Sequence, residues 1–175
     1  MNCVALNTYP RISIVTPSFQ QGEYLEDTIV SVVGQNYPSL EYIIVDGGST
    51  DRSVDIIKNY SARLSWWVSE RDNGQYDAIN KGFERSTGEI MGWLNSDDLY
   101  LPWTLRTVGQ IFAEFPQIQW ISGGVCGMNS NGQIFHCNLL RGGSSRDLVR
   151  RGCYQTGMAD YLSQEGMFWR RSLWN

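Results

Sequence analysis

Gly88 to Asp98 reads G-E-I-M-G-W-L-N-S-D-D. The apolar run Ile90-Met91-Gly92-Trp93-Leu94 ends abruptly in Asn95-Ser96-Asp97-Asp98. A short run of this kind, bounded by polar turn residues, predicts a buried strand. The strand delivers one amide and two carboxylates to nearly the same point. Neighbouring carboxylates are costly to desolvate unless a cation lies between them. Hard oxygen donors at the mouth of a sheet suit Mg²⁺ or Mn²⁺, which keep waters and bridge to substrate phosphates. Taken alone, the same four residues serve equally as a polar turn with a helix cap.

The flanking sequence gives this strand its neighbours. Ile12 to Thr16 is β-rich and is expected to stop at Pro17. Leu25, Ile29, Val32 and Val33 recur at helical spacing and predict a helix from about Glu23 to Gln35. Tyr42 to Val45 predicts a second strand ending at Asp46, and Ser49 or Thr50 is a candidate cap for the helix carrying Val54, Ile57 and Tyr60. Leu64 to Val68 predicts a third strand, followed by a short helix through Tyr76, Ile79 and Phe83. This alternation predicts an α/β fold with a mostly parallel sheet and right-handed crossovers. Ligands in such sheets sit outside the carboxyl ends of the strands. Thr16, Asp46, Arg71, Asp72, Asn95, Asp97 and Asp98 all follow strand ends.

Beyond Asp98 the pattern predicts an amphipathic helix stopped by Pro116 and a strand at Trp120 to Ser122. Asn131-Gly132 signals a hairpin. Arg141 to Arg151 reads as a loop with a short helix, and Gln164 to Trp169 as a final strand. The chain stops at Asn175 where a further helix is due, so it is expected to be truncated at its C-terminal end.

Composition removes several classes. A length of 175 residues, 42% hydrophobic and 18% charged, fits one globular domain. A net charge of -4 argues against nucleic-acid binding. No apolar run approaches the ~20 residues of a membrane span and no signal peptide is evident, so a cytoplasmic protein is expected. The four scattered cysteines lack metal-site spacing and are expected to be reduced thiols. A single histidine, His136, excludes His-dependent triads and His-rich metal sites. The loop after the first strand, P-S-F-Q-Q-G, is neither a dinucleotide fingerprint nor a P-loop. A nucleotide-sugar fits what remains: a diphosphate for the metal, a base and ribose for the first strand ends, and a sugar in the cleft.

The segments I-S-I-V-T-P-S-F, Y-I-I-V-D-G-G-S-T-D, S-E-R-D-N-G-Q-Y-D-A-I-N-K-G, G-W-L-N-S-D-D and Q-E-G-M-F-W-R-R-S-L-W together resemble the family 2 glycosyltransferases, closest to bacterial members that build surface polysaccharide. The resemblance covers nearly the whole chain, in order. It implies the GT-A fold, a single α/β domain around a seven-stranded mixed sheet with helices on both faces. It also implies inverting transfer of a sugar from a nucleotide-diphosphate donor, UDP first among them, to a glycan or lipid-linked acceptor, with Mg²⁺ or Mn²⁺. On this basis Thr16, Pro17 and Ser18 belong to the loop at the nucleobase. Asp46 stands near base and ribose, although many relatives carry a second Asp where this chain has Gly47. Arg71 and Asp72 flank the nucleotide. Asn95, Ser96 and Asp97 align with the D-x-D motif, its first Asp replaced by Asn95. Asp97 is then the direct metal ligand, and Asp98 supports the donor sugar or the metal's waters.

The resemblance divides the domain into a donor half, about 11–98, and an incomplete acceptor half, about 99–175. The base aspartate of the resembling proteins lies in a later acidic motif, past the end of this chain. Glu165 either lines the acceptor pocket, acts as the base itself, or pairs with Arg170 or Arg171. Two rival readings stand beside transfer: a donor-binding fragment, and a nucleotidyltransferase. The second would want a basic residue in the loop after the first strand, and Ser18 to Gly22 has none. Docking at the inner face of the membrane and self-association stay open.

Overall fold

The computed structural model describes residues 9–129, 131–138, 151 and 163–174. Eight strands and four α-helices alternate in the order the hydrophobic pattern anticipates. The strands are β1 (Ile12–Ser18), β2 (Leu40–Asp46), β3 (Trp66–Ser69), β4 (Ile90–Trp93), β5 (Trp120–Ser122), β6 (Val125–Met128), β7 (Ile134–Asn138) and β8 (Met167–Arg170). The helices are α1 (Leu25–Val33), α2 (Ser53–Tyr60), α3 (Gln75–Arg85) and α4 (Thr104–Glu114).

Six strands form one sheet in the order β3-β2-β1-β4-β8-β5. β1 to β4 are mutually parallel, while β8 runs antiparallel to both β4 and β5. The sheet is mixed, as expected, with six strands rather than seven among the described residues. β1 and β2 read as continuous apolar runs because both of their faces are covered. On one face Leu25, Ile29 and Val32 of α1, Ile57 of α2 and Leu105 and Phe112 of α4 pack against Ile12, Ile14, Ile44 and Ile90. On the other, Ala78, Ile79 and Phe83 of α3 pack against Val15, Ile43, Val45 and Met91.

Three local expectations change. β1 does not stop at Pro17 but continues to Ser18. Its pairing with β4 ends at Val15 opposite Trp93, so the missing amide of Pro17 removes no ladder bond on that side. Neither Ser49 nor Thr50 caps α2; just before it the Asp51 carboxylate accepts from the amides of Ser53 and Gly22 at 2.9 and 2.8 Å. Gln164 to Gly166 is a 3-10 turn rather than strand, and β8 starts only at Met167.

The hairpin at Asn131-Gly132 forms as a separate two-stranded sheet, β6 against β7. Cys126 and Cys137 are direct cross-strand partners and are joined as a disulfide. The expectation of reduced thiols is thus corrected for this pair: spacing along the chain does not report which cysteines an antiparallel ladder sets opposite each other. Cys3, Cys153 and the loop expected before Arg151 lie outside the described residues. No helix among the described residues is long and apolar enough to cross a membrane.

The two ends of the sheet differ in chemistry. At the amino end of the parallel strands Glu41 is nearly enclosed, its side chain 5% exposed. It accepts from the Ser13 hydroxyl, from the Thr87 amide at 2.6 Å and hydroxyl at 2.9 Å, and from Arg11 at 3.0 Å. Burial alone would push its pKa up, but these donors outweigh it and hold the carboxyl below the usual range. The carboxyl end of the strands holds the cleft.

Candidate active site

The cleft, about 630 Å³, opens where β1, β2, β3 and β4 end. Pro17, Ser18, Phe19 and Gln21 form one wall, and Gly47, Arg71 and Asp72 the back. Gly74, Gln75 and Ala78 come from the start of α3, and Asn95, Ser96 and Asp97 from the turn after β4. This volume lies within the range of small-molecule sites. Its walls are strand-end turns held by a sheet buried on both faces, so the polar groups are positioned by rigid elements.

The strand anticipated from Ile90 onward does deliver its polar tail here. β4 ends at Trp93, Leu94 is fully buried, and the amide of Leu94 donates to the carbonyl of Val15 at 2.9 Å. That bond holds the turn against β1. Asp97 is exposed in the cleft, while Asp98 sits half-buried behind it. Burial, then the Glu165 and Asp97 carboxylates, push the Asp98 carboxyl up to about 6, against a lowering bond from Asn95.

Glu165 thus stands beside Asp98, brought there by the 3-10 turn between β5 and β4. The arginines expected as partners of Glu165 are committed elsewhere. Arg170 donates to the carbonyls of Phe112 and Ile118 at 2.8 Å each and pairs with Glu89. Arg171 donates to the Gly88 carbonyl and the Ser86 hydroxyl, both at 2.7 Å.

Of the three carboxylates Asp97, Asp98 and Glu165 only Asp97 lines the cleft, and one carboxylate beside the Asn95 and Ser96 oxygens can supply only part of a divalent cation's shell. Among the described residues no three His, Cys, Asp or Glu side chains form a complete metal cage. A cation here would therefore draw part of its shell from water and from a ligand's phosphates, as Mg²⁺ and Mn²⁺ do. Arg71 adds a positive group to the cleft. Lys81 is engaged with Glu70 and Asp77 at 3.1 and 3.3 Å.

Of the residues named from the sequence, Pro17, Ser18, Arg71, Asp72, Asn95, Ser96 and Asp97 share the cleft. Thr16 and Asp46 do not line it. Thr16 is fully buried and its hydroxyl lies 3.0 Å from the Tyr42 hydroxyl. Asp46 is also fully buried. Its carboxylate accepts from the amides of Gly48 and Ser49 and from the hydroxyls of Ser49 and Ser69, at 2.6 to 3.1 Å. It shapes the turn after β2 rather than facing the cleft.

Gly47 is explained by the same region. A Cβ there would lie 3.0 Å from a carboxylate oxygen of Asp72, so Asp72 fills the space that a side chain at 47 would need. Sequence reading missed Phe19, Gln21, Gln75 and Ala78. Phe19 and Gln21 stand in the quoted loop after β1, beyond the strand-end positions where polar groups were expected. Gln75 is an exposed residue of α3, which helical spacing does not mark, and Ala78 is marked only as core, on the face that packs on the sheet.

Comparison with known proteins gives this arrangement relatives. The family described as "Glycosyl transferase family 2" matches residues 13–143. TuaG of Bacillus subtilis (strain 168), a glycosyltransferase whose name carries a provisional assignment to teichuronic acid biosynthesis, is 40% identical over 95 residues, 53% of this chain and 38% of that protein. The uncharacterized glycosyltransferase MT1564 of Mycobacterium tuberculosis (strain CDC 1551 / Oshkosh) is 34% identical over 96 residues, 54% of this chain and 37% of that one. The chain therefore spans somewhat over a third of the length of these curated relatives. Among solved structures, the mannosyltransferase PcManGT of Pyrobaculum calidifontis, in complex with GDP-Man and Mn²⁺, superposes with a TM-score of 0.59 at 25% identity, covering 70% of this chain and 36% of that one. TarS 1-349 of S. aureus, in complex with UDP-GlcNAc, superposes at 0.64 over 93% of this chain and 46% of that one, and at 20% identity shows the shared fold.

Proposed function

Because the chain belongs to glycosyl transferase family 2, we propose that its cleft binds a nucleoside-diphosphate sugar and that the sugar is passed, with inversion, to a saccharide or lipid-linked acceptor. The observation that carries this reading is the placement of Asp97 in a cleft of about 630 Å³, with Asp98 and Glu165 behind it. Relatives crystallised with GDP-Man and with UDP-GlcNAc support a nucleotide-sugar ligand of this class.

In this reading residues 11–98 hold the donor, and the acceptor half lies in 99–175. Pro17, Ser18 and Asp72 border the nucleoside, and Arg71 faces the diphosphate. Asp97, supported by Asp98, would hold Mg²⁺ or Mn²⁺, which when bound neutralises charge on the departing diphosphate. Glu165 stands on the acceptor side. Inversion needs one carboxylate there to take the proton of the attacking hydroxyl as the bond to the anomeric carbon forms. We read Glu165, beside Asp98, as the carboxylate for that role or for orienting the acceptor. Leu99, Leu101 and Trp103 are exposed just beyond the cleft turn.

Calorimetry with UDP tests the donor site. Affinity should be markedly higher with Mn²⁺ than with EDTA. Asp97→Ala should remove roughly 3 kcal/mol of it, the scale of losing one electrostatic stabiliser. Equal UDP affinity in the two buffers would count against a metal-bridged diphosphate.

A further inference from the structure

The mouth of the cleft is crossed by one chain of hydrogen bonds. Gly74 leads into α3 with a φ of 107°, and its amide donates to Asp72 at 2.9 Å. The next residue, Gln75, reaches across the cleft, where its Nε2 donates to Asn95 Oδ1 at 2.7 Å. Asn95 Nδ2 in turn donates to Asp98 Oδ2 at 3.1 Å. A carboxamide has one acceptor end and one donor end. With Gln75 holding the acceptor end of Asn95, the donor end is directed at Asp98.

We propose that Gln75 is a positioning residue of the donor site, which orients the Asn95 amide so that its NH₂ group fixes the Asp98 carboxylate behind Asp97. The inference rests on the metal–diphosphate reading above. It gives position 95 a function different from metal ligation. A carboxylate at 95 would face Asp98 with a second negative group, next to Asp97 and Glu165. The neutral amide instead donates a hydrogen bond to Asp98, and its own oxygen accepts one from Gln75.

The test reverses the donor. In Gln75→Glu the side chain cannot donate, so the Asn95 amide turns to donate to the introduced carboxylate and presents its oxygen to Asp98. Mn²⁺ affinity is measured calorimetrically in the presence of UDP, and UDP affinity separately in EDTA. Gln75→Glu should weaken Mn²⁺ binding by roughly tenfold or more, the range for groups that orient metal ligands. The fall in Mn²⁺ affinity should exceed any fall in UDP affinity that the added charge causes in EDTA. An added negative charge by itself would strengthen cation binding, so a loss has the opposite sign to a simple charge effect. Gln75→Ala, which leaves Asn95 free to take either orientation, should fall between the two. Unchanged Mn²⁺ affinity in Gln75→Glu, with Mn²⁺-dependent UDP binding intact in the parent chain, would overturn the role of Gln75. Absence of Mn²⁺ dependence in the parent chain would overturn it too, together with the metal reading.

Discussion

Glu41 illustrates how much one side chain can carry. It sits at the start of β2 and accepts hydrogen bonds from β1, from Arg11, and from the turn before β4. Removing its charge leaves several enclosed donors without a strong acceptor. Glu41→Gln should therefore cost about 2–3 kcal/mol, as for hydrogen bonds to a charged group, read as a lower urea midpoint at neutral pH. The pH dependence has a definite sign. The folded pKa is lowered, so the stabilisation is present above the ordinary carboxylate pKa and is lost as pH falls through the folded value. Unfolding curves of parent and Gln variant should thus draw together in acid, beginning below the ordinary glutamate pKa and meeting only below the lowered folded value. Curves that stay parallel into acid would show that the charge of Glu41 is not what the network uses.

Among the elements, β8 has the most exacting fit. Just before it, Gly166 crosses Gly123: the Gly123 amide donates to the Gly166 carbonyl at 2.8 Å, and a Cβ on Gly166 would lie 2.7 Å from the Gly123 carbonyl oxygen. Gly166→Ala should push the β6–β7 hairpin away from β8 and destabilise by roughly 1–3 kcal/mol, the usual cost of overpacking. Because Glu165 is the adjacent residue, acceptor turnover should fall more than UDP affinity. Equal losses in both would place the damage in the whole fold instead. α3 offers a second check. A Cβ on Gly82 would collide with the Val15 side chain, so Gly82→Ala should lower the melting temperature and disturb β1. Little of this was legible beforehand. Periodicity located α1 and α3 because burying one face leaves a repeat in the sequence, and a continuous apolar run located β4, which is covered on both faces. The close approaches of Gly82 and Gly166 leave none, since they depend on which distant strand lies opposite.

At the scale of the molecule, the sheet separates stability from chemistry. The Glu41 network closes its amino end, and the cleft occupies its carboxyl end. The carboxyl-end rule made much of the cleft's polar lining readable from order alone, which is why Arg71, Asp72, Asn95, Ser96 and Asp97 were named together. It failed to tell inward from outward side chains at strand ends, so Thr16 and Asp46 were named with the rest although one faces the core and the other its own turn. The arrangement predicts a footprint. UDP with Mn²⁺ should slow backbone hydrogen exchange at residues 17–21, 71–75 and 95–97 and leave 131–138 unchanged. Protection centred on the hairpin would put the nucleotide in the wrong half.

The bond between Cys126 and Cys137 has a practical consequence. Both residues are solvent-exposed, so a reductant in the buffer can reach them, and a two-stranded ribbon on its own is only marginally stable. A sample prepared with dithiothreitol and one prepared in air are then two chemical species, distinguished by two hydrogens. Intact-mass spectrometry before and after alkylation would sort them. Acceptor assays compared between laboratories would carry the history of the tube as a hidden variable until that sorting is done.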